Sequence, residues 1–168
     1  MAKQIGAVNT IQFVSGKTYG QNTDYLGFIE AIRPFLHNHH KKALILGSGG
    51  GAKAVKFAFK KLGIATTEVS RIKRKNTISY HEIDELQMSE HQLIINTTPL
   101  GMYPQLKTKP AIPYSFLSKK HLLFDLVYNP QMTEFLQSGA NHGAVCSNGL
   151  KMLEFQAEMS WKIWNNLH

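Results

Sequence analysis

The sequence predicts an α/β protein whose core is a doubly wound, mainly parallel sheet, with a β-hairpin in front of it. Three observations lead to this prediction. Short apolar runs alternate with amphipathic stretches after residue 40, no hairpin turn joins one apolar run to the next in that part of the chain, and a glycine-rich segment follows the first run. Sheets of this class bind ligands beyond the carboxyl ends of their strands, so the residues that follow each strand are candidates for a site.

The individual strands and helices are predicted from apolar periodicity. The hairpin comprises residues 8–14 and 17–20, and the strands of the sheet are 41–47, 65–70, 93–96, 122–128 and 144–146. Helices are predicted at 24–36, 52–62, 80–86 and 132–137, and a long helix starts at residue 150. The predicted inner faces of three helices are Phe28, Ile29, Ile32 and Leu36; Val55, Ala58, Phe59 and Leu62; and Leu153, Ala157, Trp161 and Trp164.

The composition is that of one globular domain. The chain has 168 residues, of which 43% are apolar and 18% are charged, and this balance excludes the disordered and collagen-like classes. No apolar run approaches the ~20 residues of a membrane-spanning helix, and the N-terminus lacks the apolar core of a secretory signal. Cys146 is the only cysteine, so an internal disulfide is excluded and we expect a cytoplasmic protein.

The charge balance is basic, with 19 Lys and Arg against 11 Asp and Glu and a net charge of +8. Such an excess is typical of nucleic-acid-binding proteins, but here the basic residues are spread along the chain and no known nucleic-acid-binding motif accompanies them. A small, phosphate-rich anion explains the charge with fewer assumptions. His37, His39 and His40 have no carboxylate or cysteine at ligand spacing, so no metal site is predicted.

The strongest local motif lies where the first strand of the sheet meets its helix. Residues 47–52 match G-x-G-x-x-A and are Gly47, Ser48, Gly49, Gly50, Gly51 and Ala52. In this motif the first glycine allows a tight turn, the second lets the backbone approach a diphosphate, and the last small residue lets the helix pack against the strand. A plain glycine-rich turn is the alternative, but the strand–turn–helix setting favours a Rossmann-like dinucleotide site, with free N–H groups at the helix N-terminus.

The end of the second strand of the sheet indicates which dinucleotide binds. An NAD site places an acidic residue about 20 residues after the glycines, whereas an NADP site places a cation there. Residues 69–75 read Val-Ser-Arg-Ile-Lys-Arg-Lys and contain no acid. We therefore expect NADP as the cofactor, with a solvated basic loop as the alternative.

Six ordered blocks of sequence resemble the shikimate dehydrogenase family, including its quinate/shikimate relatives. The blocks are residues 6–10 (GAVNT), 20–24 (GQNTD) with Gly27, 47–52, 96–102 (NTTPLGM), Asp125 with 128–130 (YNP) and Thr133, and 148–150 (NGL) through Met152 and Leu153 to Gln156 and Ala157. The resemblance implies an oxidoreductase of aromatic amino-acid biosynthesis that interconverts 3-dehydroshikimate and shikimate with NADPH. It also implies a Rossmann-like cofactor domain and a separate substrate domain.

The resemblance further implies roles for individual residues. Asp24 matches the carboxylate of a catalytic Lys–Asp pair, and the implied substrate-binding residues are Asn9, Asp24, Tyr128 and Gln156. The implied cofactor-binding residues are residues 47–52 together with Ser70, Arg71, Lys75, Thr97, Thr98, Pro99, Gly149 and Met152, the last two beside the nicotinamide. Without the resemblance, Asp24 is better explained as a helix N-cap, and a packing role explains Tyr128 as well as a pocket role does.

Two departures from the family pattern bear on function. Ser70 and Ile72 replace the usual Asn and Thr of the Asn-Arg-Thr-x-x-Arg adenosine-phosphate motif, and the Asn-Val-Thr-x-Pro-x-Lys block that carries the catalytic lysine is absent. We therefore expect the C-terminal part of such an enzyme, inactive by itself. Residues 1–23 are then a remnant of the substrate domain, 24–149 form the NADP-binding domain, and 150–168 form a helix that returns toward the substrate domain.

Three further expectations concern partners and alternatives. We expect the exposed hairpin edge to support a homodimer, because unpaired strand edges associate. A free-standing NADP(H)-binding or regulatory module without catalysis is the alternative function. A methylene-tetrahydrofolate dehydrogenase shares the architecture, but it does not explain the Asn-Thr-Asp and Tyr-Asn-Pro segments.

Overall fold

A hairpin and a six-stranded parallel sheet form the β-structure of the molecule. The computed structural model describes residues 1–166. The hairpin consists of β1 (Thr10–Val14) and β2 (Lys17–Gln21), and the sheet consists of β3 (Lys42–Leu46), β4 (Ala65–Val69), β5 (Thr77–Ile78), β6 (Leu93–Asn96), β7 (Leu122–Asp125) and β8 (Val145–Ser147). The sheet has the order β5-β4-β3-β6-β7-β8, with every neighbouring pair parallel. The predicted α/β class, the doubly wound sheet and the hairpin are thus confirmed.

Helices cover both faces of this sheet. They are α1 (Ala2–Ile5), α2 (Asp24–Ile32), α3 (Gly50–Leu62), α4 (Glu85–Glu90), α5 (Glu134–Asn141) and α6 (Leu150–Trp164), with short 3-10 turns at Arg33–Phe35, Tyr80–Glu82 and Tyr114–Phe116. One face of the sheet packs against α2, α3 and α6, and the other packs against α4 and α5. Successive side chains of β3 point to opposite faces of the sheet. Ala43 and Ile45 therefore pack in the first core, and Leu44 and Leu46 pack in the second.

The order of the strands reverses between β3 and β6. The chain passes from β3 outward to β4 and β5, and then crosses to β6 on the other side of β3 before it continues to β7 and β8. A crevice opens at such a reversal, beyond the carboxyl ends of the two strands. The residues that follow Leu46 and Asn96 therefore border the candidate site.

Several predicted helix boundaries are wrong. The helix predicted at 24–36 ends at Ile32, because Pro34 lies in the following 3-10 turn. The helix predicted at 80–86 is a 3-10 turn followed by α4, whose first turn is capped by the Asp84 side chain. The helix predicted at 132–137 starts only after its N-cap, Thr133, and extends to Asn141.

Two strand predictions also differ from the structure. The strand predicted at 122–128 ends at Asp125, whose side-chain Oδ1 accepts the Val127 N–H and turns the chain. The sequence did not predict β5, because a strand of two residues, Thr77 and Ile78, is too short to show a period.

The C-terminal helix buries a different face from the one predicted. The predicted inner residues Leu153, Ala157, Trp161 and Trp164 are exposed. α6 instead packs against α2 with the face that carries Met152, Gln156 and Ser160. Ser160 Oγ lies 2.7 Å from Thr10 Oγ1 and 3.0 Å from Thr23 Oγ1. Because these buried hydroxyls satisfy one another, polar residues form part of the inner face, and the apolar stripe stays outside.

Candidate functional site

The glycine turn between β3 and α3 forms the floor of the crevice. Gly47 has a φ of 115°, and a Cβ at this position would lie 2.6 Å from Thr97 Oγ1. Thr97 is itself fixed, since its hydroxyl donates to Leu46 O at 2.7 Å. Both the backbone conformation and the close approach therefore require glycine at position 47.

At its N-cap, α3 faces open space. Its N-cap, Gly49, provides no side-chain hydrogen bond, so the first N–H groups of the helix have no side-chain acceptor at the cap. A Cβ added to Gly49 would meet no protein atom within 4 Å. Free N–H groups beside open space are the arrangement with which helix N-termini bind phosphate.

A cavity with a volume of about 710 Å³, here called the larger cavity, lies on one side of this turn. The predicted cofactor residues that line it are Gly47, Ser48, Gly49, Ser70, Arg71, Thr97, Thr98 and Pro99. Its other basic lining residues are Arg74, His81 and Lys109, and no carboxylate among the described residues lines it. The cavity is therefore suited to an anion.

Three predicted cofactor residues line neither of the two cavities. Lys75 is exposed and lies outside them, while Gly50 and Ala52 lie in the first turn of α3. Arg74 lines the larger cavity although it is not among the cofactor-binding residues predicted from the sequence. Tyr80 also lines it, and burial raises the pKa of the Tyr80 hydroxyl while the nearby Arg71 lowers it.

The smaller cavity lies on the other side of the turn and has a volume of about 360 Å³. It brings together residues that are distant in sequence, and its lining consists of Asn9, Asp24, Gly51, Leu126, Tyr128, Gly149, Met152, Leu153 and Gln156. All four predicted substrate-binding residues are among them, as are both residues predicted to lie beside the nicotinamide. The segment just before the hairpin, helix α2 and helix α6 thus meet at one site.

A hydrogen-bonded cluster of Asn9, Thr23, Asp24 and Gln156 forms one wall of the smaller cavity. Asn9 Nδ2 lies within hydrogen-bond distance of Asp24 Oδ1 (2.8 Å), Thr23 Oγ1 (2.9 Å) and Gln156 Oε1 (3.3 Å). The Thr23 N–H donates to Asn9 Oδ1 at 2.8 Å, which fixes the orientation of the amide. Thr23, not Asp24, is the N-cap of α2, and Asp24 lines the cavity. Burial raises the pKa of Asp24, and the hydrogen bond from Asn9 opposes this rise.

Gly149 is required at the base of the smaller cavity for a steric reason. A Cβ at this position would clash with Leu126 O, a backbone atom that cannot move aside. The Gly149 N–H donates to Val127 O, so the start of α6 is held against the segment that follows β7. This close approach places Met152 of α6 beside Leu126 and Tyr128 in the lining of the cavity.

A buried carboxylate behind the crevice connects the loops on its two sides. Asp125 Oδ1 accepts from Asn96 Nδ2 at 2.9 Å and from the Val127 N–H at 3.0 Å, and Asp125 Oδ2 accepts from Thr133 Oγ1 at 2.6 Å. Asn96 Oδ1 in turn accepts the N–H and the hydroxyl of Thr98, which lines the larger cavity. Asp125 was not among the predicted site residues. A polar residue directly after a fully apolar run was the available signal.

The titration of Asp125 yields a prediction for stability. Burial raises its pKa to about 6, although the hydrogen bonds from Thr133, Val127 and Asn96 oppose the rise. Because the folded state then holds this proton more tightly than the unfolded chain, stability should fall as pH rises from about 4 to about 6. Compared with an Asp125→Asn variant, the wild type should lose on the order of 2–3 kcal/mol over this range and stay level above it. Urea unfolding of both proteins across this pH range measures the difference, and parallel curves would contradict the prediction.

Neither a metal cluster nor a membrane-spanning helix is present in the described part of the chain. Within residues 1–166, no three His, Cys, Asp or Glu side chains are grouped so that they could hold a metal ion. His40 is buried, and its Nδ1 accepts the N–H of His37. None of the described helices is long and apolar enough to cross a membrane.

Comparison with known proteins identifies relatives along nearly the whole chain. No protein-family model matches it. The shikimate dehydrogenase (NADP(+)) of Methanococcus maripaludis strain C6 is 38% identical to this chain. The comparison covers 97% of this chain and 63% of that protein. The shikimate 5-dehydrogenase of Thermus thermophilus, solved in complex with NADP(H) and shikimate, is 30% identical with a TM-score of 0.85, covering 99% of this chain and 65% of that one.

A second solved structure extends this comparison. A chorismate mutase/shikimate 5-dehydrogenase fusion protein from Clostridium acetobutylicum is 37% identical with a TM-score of 0.84, covering 99% of this chain and 62% of that one. The chain thus spans less than two thirds of the length of each of these relatives. The resemblance predicted from the sequence is confirmed, because this chain is similar to shikimate dehydrogenases along nearly its whole length and shares their Rossmann-like fold.

Proposed function

We propose that this chain is the NADP-binding part of a shikimate dehydrogenase, an oxidoreductase that interconverts 3-dehydroshikimate and shikimate. One observation carries the proposal: the glycine turn separates the two cavities, with Gly47 and Gly49 lining the larger and Gly51 lining the smaller. A dinucleotide that crosses this turn has its adenosine in the basic cavity and its nicotinamide in the cavity of Asp24. The relatives named NADP(+)-dependent, and the one solved with NADP(H) and shikimate, support the same assignment.

The charges at the end of β4 support NADP over NAD. An acidic residue at this position would bind the ribose 2′-hydroxyl of NAD and repel a 2′-phosphate. The strand is instead followed by Ser70 and Arg71, both of which line the cavity, and no carboxylate among the described residues lines it. A guanidinium binds phosphate through two parallel hydrogen bonds.

The residues of the smaller cavity would bind and orient a polyhydroxylated substrate. The nicotinamide, when bound, supplies the hydride chemistry. Asn9 and Gln156 present amide groups to the cavity, and Asp24 presents a carboxylate held by Asn9. In the family pattern this carboxylate is paired with a lysine that exchanges a proton with the substrate oxygen. No ion pair involves Asp24 within residues 1–166, and the lysine block is not in the sequence.

Two contacts between the first and last segments are consistent with the proposed division of the chain. Residues 1–23 would belong to the substrate side, 24–149 to the NADP-binding domain, and the segment from residue 150 would return to the substrate side. Asn9 and Gln156, from the first and last of these segments, meet at 3.3 Å in one wall of the smaller cavity. The Gln12 amide likewise donates to Ile163 O at 2.7 Å.

We expect the purified chain to bind NADP+ but to oxidise shikimate at a negligible rate. A positioned acid or base contributes ~10² to 10⁴ in rate, and the lysine of the family pattern is absent from this sequence. The absorbance of NADPH formed from shikimate and NADP+ measures the rate, with the Methanococcus maripaludis relative assayed in parallel. Comparable turnover by the two proteins would contradict the assigned role of the absent lysine.

A further inference from the structure

The family's adenosine-phosphate motif places its second cation at Lys75, yet Arg74 lines the larger cavity in this chain. A turn of the chain explains why Arg74, and not Lys75, lines the cavity. The Arg74 N–H donates to Thr77 Oγ1 at 2.8 Å, and the Thr77 N–H donates back to Arg74 O at 3.1 Å. Lys75 therefore lies at the tip of this turn, while Arg74 lies at its base beside the cavity.

The segment after β5 forms a second wall of the same cavity. β5 pairs with the end of β4, with Val69 opposite Ile78, and the Ser70 N–H donates to Ile78 O at 2.9 Å. The chain that follows β5 carries Tyr80 and His81, and both residues consequently line the cavity together with Arg71.

Two other charges of this region, Lys73 and Glu82, are already paired with each other. Lys73 Nζ lies 2.6 Å from Glu82 Oε1, and Glu82 Oε2 accepts the Ser79 N–H at 2.7 Å. These hydrogen bonds, that from Lys73 first, lower the pKa of Glu82 to about 2, so its charge is present and is balanced by Lys73. Within residues 1–166, Arg71 and Arg74 form no ion pair.

The departures in the motif leave it with fewer polar side-chain groups than the family pattern has. Ile72, which stands where the family pattern has Thr, is 69% exposed and offers no polar side-chain atom. A guanidinium at Arg74 supplies two parallel N–H donors, and the imidazole of His81 supplies another. Both side chains belong to the lining of the cavity that contains Arg71.

We propose that Arg74 and His81, together with Arg71, bind the ribose 2′-phosphate of the dinucleotide, and that Lys75 takes no part. The proposal rests on the proposed function, because it assigns residues within the NADP site. In this proposal, two segments of the chain, residues 71–74 and the turn after β5, together supply the residues that bind the 2′-phosphate.

Calorimetric titration with two probes tests the assignment. Adenosine 2′,5′-bisphosphate and adenosine 5′-monophosphate differ only in the 2′-phosphate. In the 168-residue chain, Arg74→Ala should weaken bisphosphate binding about tenfold or more, and His81→Ala about threefold, with monophosphate binding unchanged. Lys75→Ala is the matched control, since it removes one positive charge from the adjacent residue, and it should leave the ratio of the two affinities unchanged.

The outcomes separate this proposal from the proposed function. If Arg74→Ala retains the same preference for the bisphosphate as Lys75→Ala, the assignment of Arg74 is overturned. If the wild type prefers the bisphosphate and Arg71→Ala abolishes that preference while Arg74→Ala does not, only the further inference fails. A wild type that does not prefer the bisphosphate overturns both.

Discussion

Replacing Gly49 with Ala is expected to weaken NADP+ binding strongly and to leave the fold unchanged. The added methyl group would meet no protein atom within 4 Å, so the substitution costs nothing in packing. The same methyl group would occupy the space in which the backbone must approach a diphosphate, and we expect affinity to fall about 100-fold. Calorimetry with NADP+ measures the loss, and thermal unfolding measures the fold.

A substitution elsewhere on the same helix provides the control for Gly49→Ala. Lys60 is exposed in the last turn of α3, and Lys60→Ala removes a charge far from the glycine turn. This variant should bind NADP+ as the wild type does. A Gly49→Ala protein that still binds with wild-type affinity would show that the diphosphate lies elsewhere.

Replacing Gly27 with Ala should have the opposite profile, a large loss of stability. Gly27 lies where α2 crosses α6, and a Cβ there would be 2.7 Å from Met152 O and 2.9 Å from Gln156 N. Both are backbone atoms, so relief requires the helices to separate. Gly→Ala in a helix normally stabilises by ~1 kcal/mol, but here overpacking should destabilise by about 3 kcal/mol or more. For a domain of this size, the melting temperature should fall by roughly 10 °C.

The two glycine variants serve as controls for each other. Both add one methyl group, but Gly49→Ala adds it to open space and Gly27→Ala adds it between two helices. Separation of α2 from α6 should also disturb the smaller cavity, since Asp24 lies on the first helix and Gln156 on the second. An unchanged melting temperature for Gly27→Ala would mean that the two helices do not cross as closely as the structure shows.

The parts of the fold that could be predicted from sequence are those with a clear period. The apolar run of β3, the glycines at its end and the stripe of α3 each carry a local signal, and all three lie where they were expected. β5 has only two residues, and its position depends on pairing with β4, which no local pattern encodes. The inner face of α6 was mispredicted because hydroxyl groups, with Ser160 against Thr10 and Thr23, are buried there in place of Trp161.

The candidate site divides in the same way. The glycine turn and the basic end of β4 follow from the physical chemistry of phosphate binding, so the residues alone indicate the larger cavity. Asn9, Asp24 and Gln156 meet only through the tertiary arrangement of the hairpin, α2 and α6, and their selection depended on the family resemblance. The position of Arg74 depends on the hydrogen bonds of one turn with Thr77, which the sequence does not show.

The central claim is that the crevice at the glycine turn binds a dinucleotide and distinguishes it by its 2′-phosphate. Calorimetric titration of the unmodified chain with NADP+ and with NAD+ tests it most directly. We expect saturable binding of one NADP+ per chain, with an affinity at least about tenfold higher than that for NAD+. Absence of saturable binding, or equal affinity for the two dinucleotides, would contradict the claim.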